Sequence, residues 1–467
     1  MANTTANLFA QLLTEAIYHI RHHESKNVQT VQDELGYALG KRGGSSIEYW
    51  RKGYLPAKPA DLENLTRLVV QRGGFSADWA AKFLASAGHP YPASFLGQLF
   101  PVDTAVSPTP NGSNRTLFST NLLSQPTPFL GRKQELDAIL KQLDDSDCRL
   151  LTLVGPGGIG KTRLAIEAAQ QKVQIFPDGV FFVSLDTINS PELILAHIAN
   201  AIYLPLVEGI SPKMQLLNFL QDKRLLLIMD NFEHLIAEAP LVAEIIGQAP
   251  EVQVIITSRE RLNLRGEWIF EVKGMQFPAK HLRPSLSKPT AAEQDFEKYS
   301  AVQLFVQSAR RIRSDFVVTG ANIPHIVRIC QLVEGFPLAI ELAATWVRIL
   351  SCADIAQEIE RNYEFLATNW RDIPPRHRSL QAVFDYSWAL LSPTERDVLV
   401  RLSVFQGAFN REALTAVAAV SLDVLGSLVD KSFLQVGKIV QGETAVTCYE
   451  MHELIRFYAA EKLNNHG

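Results

Sequence analysis

Cysteine is scarce in this sequence. The chain of 467 residues has four cysteines far apart from one another, at Cys148, Cys330, Cys352 and Cys448. A structural zinc site or a redox pair needs cysteines only a few residues apart, so this spacing argues against both. We expect the four side chains to be buried thiols in a reducing cytoplasm.

Long apolar runs and an excess of one charge are also missing. No stretch approaches the roughly 18 to 20 uncharged apolar residues of a membrane span, and the N-terminus has no basic segment followed by an apolar core. We therefore expect a cytoplasmic protein without a membrane segment. The 45 basic and 49 acidic residues leave a formal net charge of -4, so no global positive field would attract DNA. Any nucleic-acid contact has to be local.

The length predicts several domains, because one hydrophobic core rarely serves 467 residues. Helical apolar spacing predicts an all-helical domain at 1–100, and a Pro-, Ser- and Thr-rich stretch predicts a linker at 101–127. Strands that alternate with helices predict a parallel-sheet domain at 128–290. The predicted strands are Leu150–Val154, Val180–Leu185, Leu225–Met229 and Val252–Thr257. Further helical segments, among them Pro337–Leu350, predict a helical domain at 291–375. Helices followed by a β-hairpin, with strands Leu434–Val436 and Ala445–Tyr449, predict a winged-helix domain at 376–467. The predicted fold class is multidomain α/β plus α.

A glycine-rich loop follows the first predicted strand, Leu150–Val154, and precedes a helix that starts at Arg163. In such a loop the backbone N–H groups turn inward around phosphates, and the helix N-terminus adds a partial positive charge. Lys161 should reach the β- and γ-phosphates and take part in catalysis, while the Thr162 hydroxyl should ligate Mg²⁺. The sequence thus predicts a site for ATP or ADP with Mg²⁺. Its candidate binding residues are Gly155, Gly157, Gly158, Ile159, Gly160, Lys161, Thr162 and Arg163.

A second part of the site is predicted where the apolar strand Leu225–Met229 ends in Asp230. This carboxylate can hold Mg²⁺ through a water molecule, and we count it as a candidate catalytic residue. The next residue, Asn231, stands where vigorous ATPases often have an acid. It can orient water but cannot accept its proton, so we expect slow hydrolysis. Glu233 either supplies a nearby carboxylate or is a solvated residue in the first turn of a helix.

The strand Val252–Thr257 leads into Arg259. A polar residue at this strand end is placed to sense the γ-phosphate, and we count Arg259 as a candidate nucleotide-binding residue. The alternative is an arginine that pairs with a surface carboxylate.

The order of these and three further motifs resembles the STAND signalling NTPases, in particular their NB-ARC-like and bacterial transcription-regulator-like members. The further motifs are Phe129-Leu-Gly-Arg132 before the glycine loop, Gly335-Phe-Pro337-Leu-Ala after the sheet, and Met451-His452-Glu453 near the end. The resemblance covers roughly residues 128–460. It implies that Leu130 and Arg132 approach the adenine, that Pro337 and Leu338 pack on the base, and that His452 contacts the β-phosphate of ADP.

One residue departs from the family pattern. The last residue of the terminal triplet is Glu453, where the family has Asp, which puts the strength of the contact between the winged helix and the nucleotide domain in doubt. The resemblance also implies a sensor after the winged helix, either removed from this chain or carried by another one. Activation would then bring self-association.

The N-terminal spacing Ile47-x-x-Trp50-x-x-Gly53-x-x-Pro56 resembles the recognition-helix end of a lambda-repressor-like helix-turn-helix. The resemblance implies contacts between residues 1–100 and duplex DNA. The residues that would approach the bases are Ser45, Ser46 and Tyr49, and those that would meet phosphates are Lys41, Arg42, Arg51 and Lys52. The alternative is a helical protein-interaction module whose basic residues are solvated.

Two functions from different classes fit these patterns. In the first, the chain is a switch, off with ADP and on with ATP, that oligomerises or exposes its N-terminal effector domain. In the second, it is an active ATPase that remodels nucleic acid or protein.

Overall fold

The computed structural model forms two compact units by its internal contacts, one with residues 1–121 and 195–216 and one with residues 122–194 and 217–467. The predicted linker and the predicted domain boundaries near 100, 290 and 375 fall largely or wholly outside the described residues. The structure describes residues 2–24, 26–56, 58–75, 77–89, 95, 96, 99, 120–122, 125, 127–186, 188, 190, 193–207, 209–278, 298–368, 378–441 and 444–464.

The N-terminal part of the first unit is helical, as predicted. Its helices are α1 (Ala2–His23), α2 (Val28–Ala38), α3 (Ser45–Arg51), α4 (Pro59–Gly73) and α5 (Ala77–Ser86). Residues that recur at helical spacing form its core, among them Phe9, Leu13, Ile17, Leu35, Ile47, Leu65 and Phe83. The turn between α2 and α3 is tight: a side chain at Gly36 would come within 2.0 Å of the Gly43 carbonyl oxygen. Glycine at position 36 therefore allows the two helices of the predicted helix-turn-helix to meet.

Two helices lie mostly within residues 195–216 of the first unit. They are α8 (Ile194–Ala201) and α9 (Pro212–Leu220). The Tyr203 ring lies 6.0 Å from the ring of Tyr18 on α1.

The second unit contains a five-stranded parallel sheet in the order β2-β3-β4-β1-β5. The strands are β1 (Leu150–Val154), β2 (Gly179–Ser184), β3 (Leu225–Asp230), β4 (Gln253–Ser258) and β5 (Glu267–Glu271). The first four match the predicted strands within one residue at each end. The strand β5 was not predicted, because its apolar run, Trp268–Phe270, is only three residues long and lies between two glutamates.

Three helices of the second unit accompany this sheet in sequence: α6 (Lys133–Leu143), α7 (Lys161–Lys172) and α10 (Ala239–Gln248). A 3₁₀ segment, Phe232–Glu238, follows β3. Because β4 lies between β1 and β3, Asp230 at the end of β3 is one strand removed from the glycine loop at the end of β1.

The rest of the second unit is mainly helical. Its helices are α11 (Ser300–Ile312), α12 (Ile323–Leu332), α13 (Pro337–Thr345), α14 (Cys352–Arg361), α15 (Leu380–Ala389), α16 (Pro393–Leu402), α17 (Arg411–Ala418), α18 (Leu422–Asp430) and α19 (Glu453–Asn464). Ser351 and Ser392 start α14 and α16 with capping boxes. The predicted helix Pro337–Leu350 is shorter in the structure, since a 3₁₀ turn follows at Trp346–Arg348.

The C-terminal part has the winged-helix arrangement. Strands β6 (Phe409–Asn410), β7 (Gln435–Gln441) and β8 (Thr444–Glu450) form a small antiparallel sheet in the order β6-β8-β7. The predicted hairpin is confirmed with longer strands, whereas β6 and α17 were not predicted. Within the described residues, no single helix is long and apolar enough to cross a membrane. Taken together, α17 and α18 are long and apolar enough, but the two helices are bent by 108° relative to each other.

Candidate functional site

The glycine loop connects β1 to α7 and has left-handed backbone at two glycines. Gly158 has φ of 80°, and Gly160, which caps α7, has φ of 95°. A Cβ atom at Gly158 would lie 2.9 to 3.1 Å from side-chain atoms of Leu338 and Phe336. Both the conformation and the close approach favour glycine. The loop therefore brings the first turn of α7 next to the segment that begins α13.

Lys161 is a buried cation, with 8% of its surface exposed. Its Nζ donates hydrogen bonds to the carbonyl oxygens of Gly155 (2.7 Å) and Pro156 (3.1 Å). Burial lowers the pKa of Lys161 to about 8, partly opposed by the negative charge of Glu233. A buried ammonium group without a hydrogen-bonded carboxylate gains from a nearby anion. This environment fits a phosphate.

Asp230 joins three elements at the carboxyl edge of the sheet. Its Oδ1 accepts hydrogen bonds from the hydroxyls of Thr162 on α7 and Thr257 on β4, both at 2.6 Å. Thr257 therefore reaches Asp230 from β4, the strand that lies between β3 and β1. Burial raises the pKa of Asp230, and the two hydroxyl donors oppose that change. A hydroxyl and a carboxylate in contact fit Mg²⁺, which prefers oxygen ligands and retains several waters.

Two arginines that line the site donate hydrogen bonds to backbone carbonyl groups around it. Arg132 has left-handed backbone (φ 54°), and its Nη2 donates to the carbonyl oxygens of Ile159 (2.8 Å) and Lys273 (3.0 Å). Burial lowers the pKa of Arg132. Arg163 Nη2 donates to the carbonyl oxygens of Thr127 and, at 2.6 Å, Pro128. Both guanidinium groups thus hold backbone segments around the site.

These elements enclose a cavity of about 360 Å³, within the size range of small-molecule sites. Twelve candidate residues line it, namely Leu130, Arg132, Gly157, Gly158, Gly160, Lys161, Thr162, Arg163, Asn231, Arg259, Pro337 and Leu338. Four other candidates are not among its lining residues: Gly155, Ile159, Asp230 and His452. Gly155, Ile159 and Asp230 bond directly to residues that line it.

The cavity also has lining residues that the sequence analysis did not select, including Met275, Leu304 and Glu341. Glu341 follows Pro337 by four residues on α13, so helical spacing would have placed both on one face. No local pattern marks Met275 or Leu304, which arrive from distant parts of the chain. The lining is apolar near Leu130 and Pro337 and polar near Lys161, as a nucleotide with a base and phosphates requires.

Asn231 and Glu233 line the same cavity. Asn231 has left-handed backbone (φ 68°), and its buried side-chain nitrogen has no hydrogen-bond partner among the described residues. Such a donor needs an acceptor from outside the described protein atoms. Glu233 is only 4% exposed, so its interpretation as a solvated residue is wrong.

Arg259 is buried rather than on the surface. Its Nε pairs with Glu233 Oε1 at 2.9 Å, and its Nη1 donates to the Val383 carbonyl oxygen at 2.9 Å and to the Ser387 hydroxyl. The predicted partner, a carboxylate, is present, but it lies within the cavity wall. Whether Arg259 senses a γ-phosphate stays a prediction.

His452 lies at the start of α19, and its ring packs edge-on against Phe336 with the centroids 5.4 Å apart. Its Nδ1 accepts the backbone N–H of Leu454 (3.3 Å), so the neutral ring carries its proton on Nε2. Nε2 is buried and has no partner among the described residues. Burial lowers the pKa of His452 to about 4. Phe336 thus touches both the glycine loop, at Gly158, and His452.

Glu453 does not point toward the cavity. Its carboxylate pairs with Arg456 (2.6 Å) on the same helix, and its backbone N–H donates to Glu334 Oε2 (3.1 Å). The longer acid therefore binds within α19, while the backbone makes the contact with the loop before Phe336.

Comparison with known proteins agrees with this geometry. The model of the NB-ARC domain matches residues 132–263, and that of a winged helix-turn-helix domain matches residues 391–464. A Mycobacterium tuberculosis protein named as an HTH-type transcriptional regulator is 37% identical over 327 residues, 68% of this chain and 34% of that protein. The chain therefore spans about a third of that relative's length. An uncharacterised protein of the same organism is 33% identical over 350 residues, 73% of this chain and 82% of that protein.

Among solved structures, a Signal Transduction ATPase with Numerous Domains (STAND) from Pyrococcus horikoshii, with a tetratricopeptide repeat sensor, shares 17% identity at a TM-score of 0.31. The match covers 72% of this chain and 42% of that one. A structural likeness this low carries no weight beside the sequence matches. By its two matched domains and by the 33% identical relative of which it covers 82%, the chain belongs to the NB-ARC family of STAND P-loop NTPases.

Proposed function

We propose that this chain is a regulatory switch that binds ADP in a closed state and ATP in an open one. The observation that carries the proposal is the contact series from Gly158 through Phe336 to His452. It connects the loop that would hold the phosphates to the helical and winged-helix parts of the same unit. A change at the phosphates therefore has a short, fully packed route to the winged helix.

In this proposal each candidate residue has a defined role. Leu130 and Pro337 hold the base, and Arg132 holds the loop that surrounds the phosphates. Thr162 and Asp230 hold Mg²⁺, and Asn231 orients water. The backbone N–H groups of the glycine loop at 155–160 and Lys161 bind the phosphates, together with Arg163 and Arg259, and Leu338 packs on the base beside Pro337.

The nucleotide has to discriminate strongly between the two states. To shift a population from 1:99 to 99:1, a ligand must bind one state about 5.5 kcal/mol better than the other. His452 supports such discrimination, since its buried Nε2 has no hydrogen-bond partner among the described residues and its ring packs on Phe336, which lies against the glycine loop. Self-association would follow when the winged helix leaves the glycine loop. The free, buried cysteines support a reducing, cytoplasmic setting.

Nucleotide content and assembly test this proposal. The purified chain should carry ADP and remain monomeric, whereas His452→Gln should lose ADP and self-associate because the contact with Phe336 is weakened. Nucleotide released on denaturation is measured by chromatography, and mass is measured by light scattering. His325→Gln, a histidine on α12 outside the cavity lining, is the control. Steady hydrolysis of about 1 per second or more without a partner would instead favour the active, remodelling ATPase.

We also propose the domain division 1–100, 101–127, 128–290, 291–375 and 376–467, with the first as effector. Its α2 and α3 support a helix-turn-helix, and Tyr49 is exposed on α3. Two of the basic residues expected at phosphates are paired with acids in the described structure, Lys41 with Asp61 and Lys52 with Glu48. The pair of Lys52 with Glu48 is exposed and pairs of this kind are weak, so a phosphate can compete for Lys52, whereas the pair of Lys41 with Asp61 is partly buried.

A DNA titration separates the effector interpretations. The full chain should bind duplex DNA with an affinity that falls as salt rises, and Arg42→Ala should weaken it at every salt concentration because it removes a phosphate contact. Fluorescence anisotropy measures this, with Arg361→Ala, an exposed arginine on α14, as the control. If the chain binds no DNA even at low salt, the protein-interaction module is favoured. A sensor, either a domain of the same protein or a separate chain, also stays part of the proposal.

A further inference from the structure

Glu233 is a buried carboxylate at the phosphate end of the cavity. It lines the cavity and is near enough to Lys161 for its negative charge to raise the pKa of that lysine, against the effect of burial. One oxygen, Oε1, pairs with Arg259, whereas Oε2 is buried without a hydrogen-bond partner among the described residues. A buried carboxylate oxygen that lacks a donor is poised to accept one.

The other nearby acids are placed differently. Asp230 already accepts hydroxyl hydrogen bonds from Thr162 and Thr257. Glu341 also lines the cavity, but the charges nearest to it are those of Arg163 and Arg311. Glu233 is therefore the carboxylate that combines a position near Lys161 with an oxygen that has no hydrogen-bond donor among the described residues. It offers the proton acceptor that Asn231 cannot be.

Arg259 connects this carboxylate to the winged-helix part. Its guanidinium lies against the glycine loop, since a Cβ atom at Gly157 would be 2.5 Å from its Nη2. The same group pairs with Glu233 and bonds to Val383 and Ser387 of α15. The Arg259 carbonyl oxygen also accepts the hydroxyl of Ser432, which follows α18. The hydrogen bonds from the winged-helix part thus hold the Arg259 guanidinium against Glu233.

We propose that Glu233 is the general base for ATP hydrolysis. We also propose that its ion pair with Arg259 keeps it from acting as the base while Arg259 is hydrogen-bonded to α15. The inference rests on the nucleotide binding proposed above. Water adds its oxygen to the γ-phosphorus, the bond to the β–γ bridging oxygen breaks, and its electron pair remains on ADP. Glu233 accepts the proton of the water and then returns it to solvent. Arg259 is a positioning residue that couples this step to the winged helix.

Four variants of the full chain test the assignment. Glu233→Gln removes the base, and Glu233→Asp keeps the negative charge beside Arg259 while withdrawing the carboxylate by one methylene. Ser387→Ala removes one hydrogen bond that holds Arg259 on α15. Glu238→Gln, in the same 3₁₀ segment but outside the cavity lining, is the matched control. Each is measured for ADP affinity, single-turnover hydrolysis and the nucleotide retained after incubation with ATP.

Glu233→Gln should hydrolyse about 100-fold more slowly, as expected for loss of a general base. Its ADP affinity should stay within about twofold, since hydrogen bonds to the phosphates come from other residues, and it should retain ATP where the unmodified chain retains ADP. Glu233→Asp should also be slow while melting normally. Ser387→Ala should hydrolyse about tenfold faster, because it loses one hydrogen bond to a charged group, and combining it with Glu233→Gln should abolish that gain.

Two results would overturn the inference alone. One is unchanged single-turnover hydrolysis in both Glu233 variants with normal ADP affinity. The other is a chain that binds ATP and yet hydrolyses none of it, with or without Ser387→Ala. A chain that binds neither ADP nor ATP would instead overturn the proposed function, which keeps the two failures distinct.

Discussion

Lys161→Ala should abolish the stabilisation of this chain by ADP. At about one hundred times its dissociation constant, ADP should add about 2.7 kcal/mol to the free energy of unfolding of the unmodified chain. The variant should gain nothing, because the buried ammonium group beside the glycine loop is the cation placed to meet phosphates. Thermal melting with increasing ADP measures the effect.

The matched control for this experiment is Lys141→Ala, an exposed lysine on α6 that does not line the cavity. It should keep the full ADP response. Without ADP, Lys161→Ala loses the two hydrogen bonds of Lys161 but also the cost of burying its charge, which lowers the pKa of this lysine to about 8. An undiminished ADP-dependent shift in Lys161→Ala would remove the glycine loop from the proposed site.

His452 should make the stability of the chain depend on pH between about 6.5 and 4. Burial lowers the folded-state pKa of His452 to about 4 from its ordinary value of 6.5. As the pH falls through this interval, the unfolded chain binds the proton first, so the free energy of unfolding decreases, by about 3 kcal/mol in total for this residue. Above this interval the neutral ring imposes no penalty.

Urea unfolding of the unmodified chain and His452→Gln across this interval measures the contribution. The variant should lose that part of the pH dependence, while the carboxylates that also titrate there act equally in both proteins. The charged groups around the ring are Glu334, Glu453 and Arg456. His325→Gln should keep the whole dependence. Identical pH profiles for His452→Gln and the unmodified chain would contradict the buried, neutral state of His452.

Local patterns were enough to predict the sheet strands and the glycine loop. A strand covered on both faces is a continuous apolar run, so β1 to β4 were predicted almost to the residue. The edge strand β5 has an apolar run of only three residues, Trp268–Phe270. The short strand β6 and helix α17 were also missed, because their two and eight residues are too few to establish a period.

The phosphate end of the site was readable because its residues are consecutive. Lys161 and Thr162 follow their glycines directly, and the chemistry of the loop depends on the backbone they share. The apolar end is assembled from distant segments, with Met275 and Leu304 joining Leu130. No local sequence pattern predicts that these three residues line the same cavity.

By itself, the sequence determined the glycine loop, the order of the motifs and the family, because each depends on neighbouring residues. The tertiary structure alone decided what surrounds the loop. It buried Glu233, paired it with Arg259, and extended that pair to Ser387, 128 residues away along the chain. The physical reason is that burial and the partners of a charge depend on how the sheet, the helices and the winged helix pack, which local sequence does not specify.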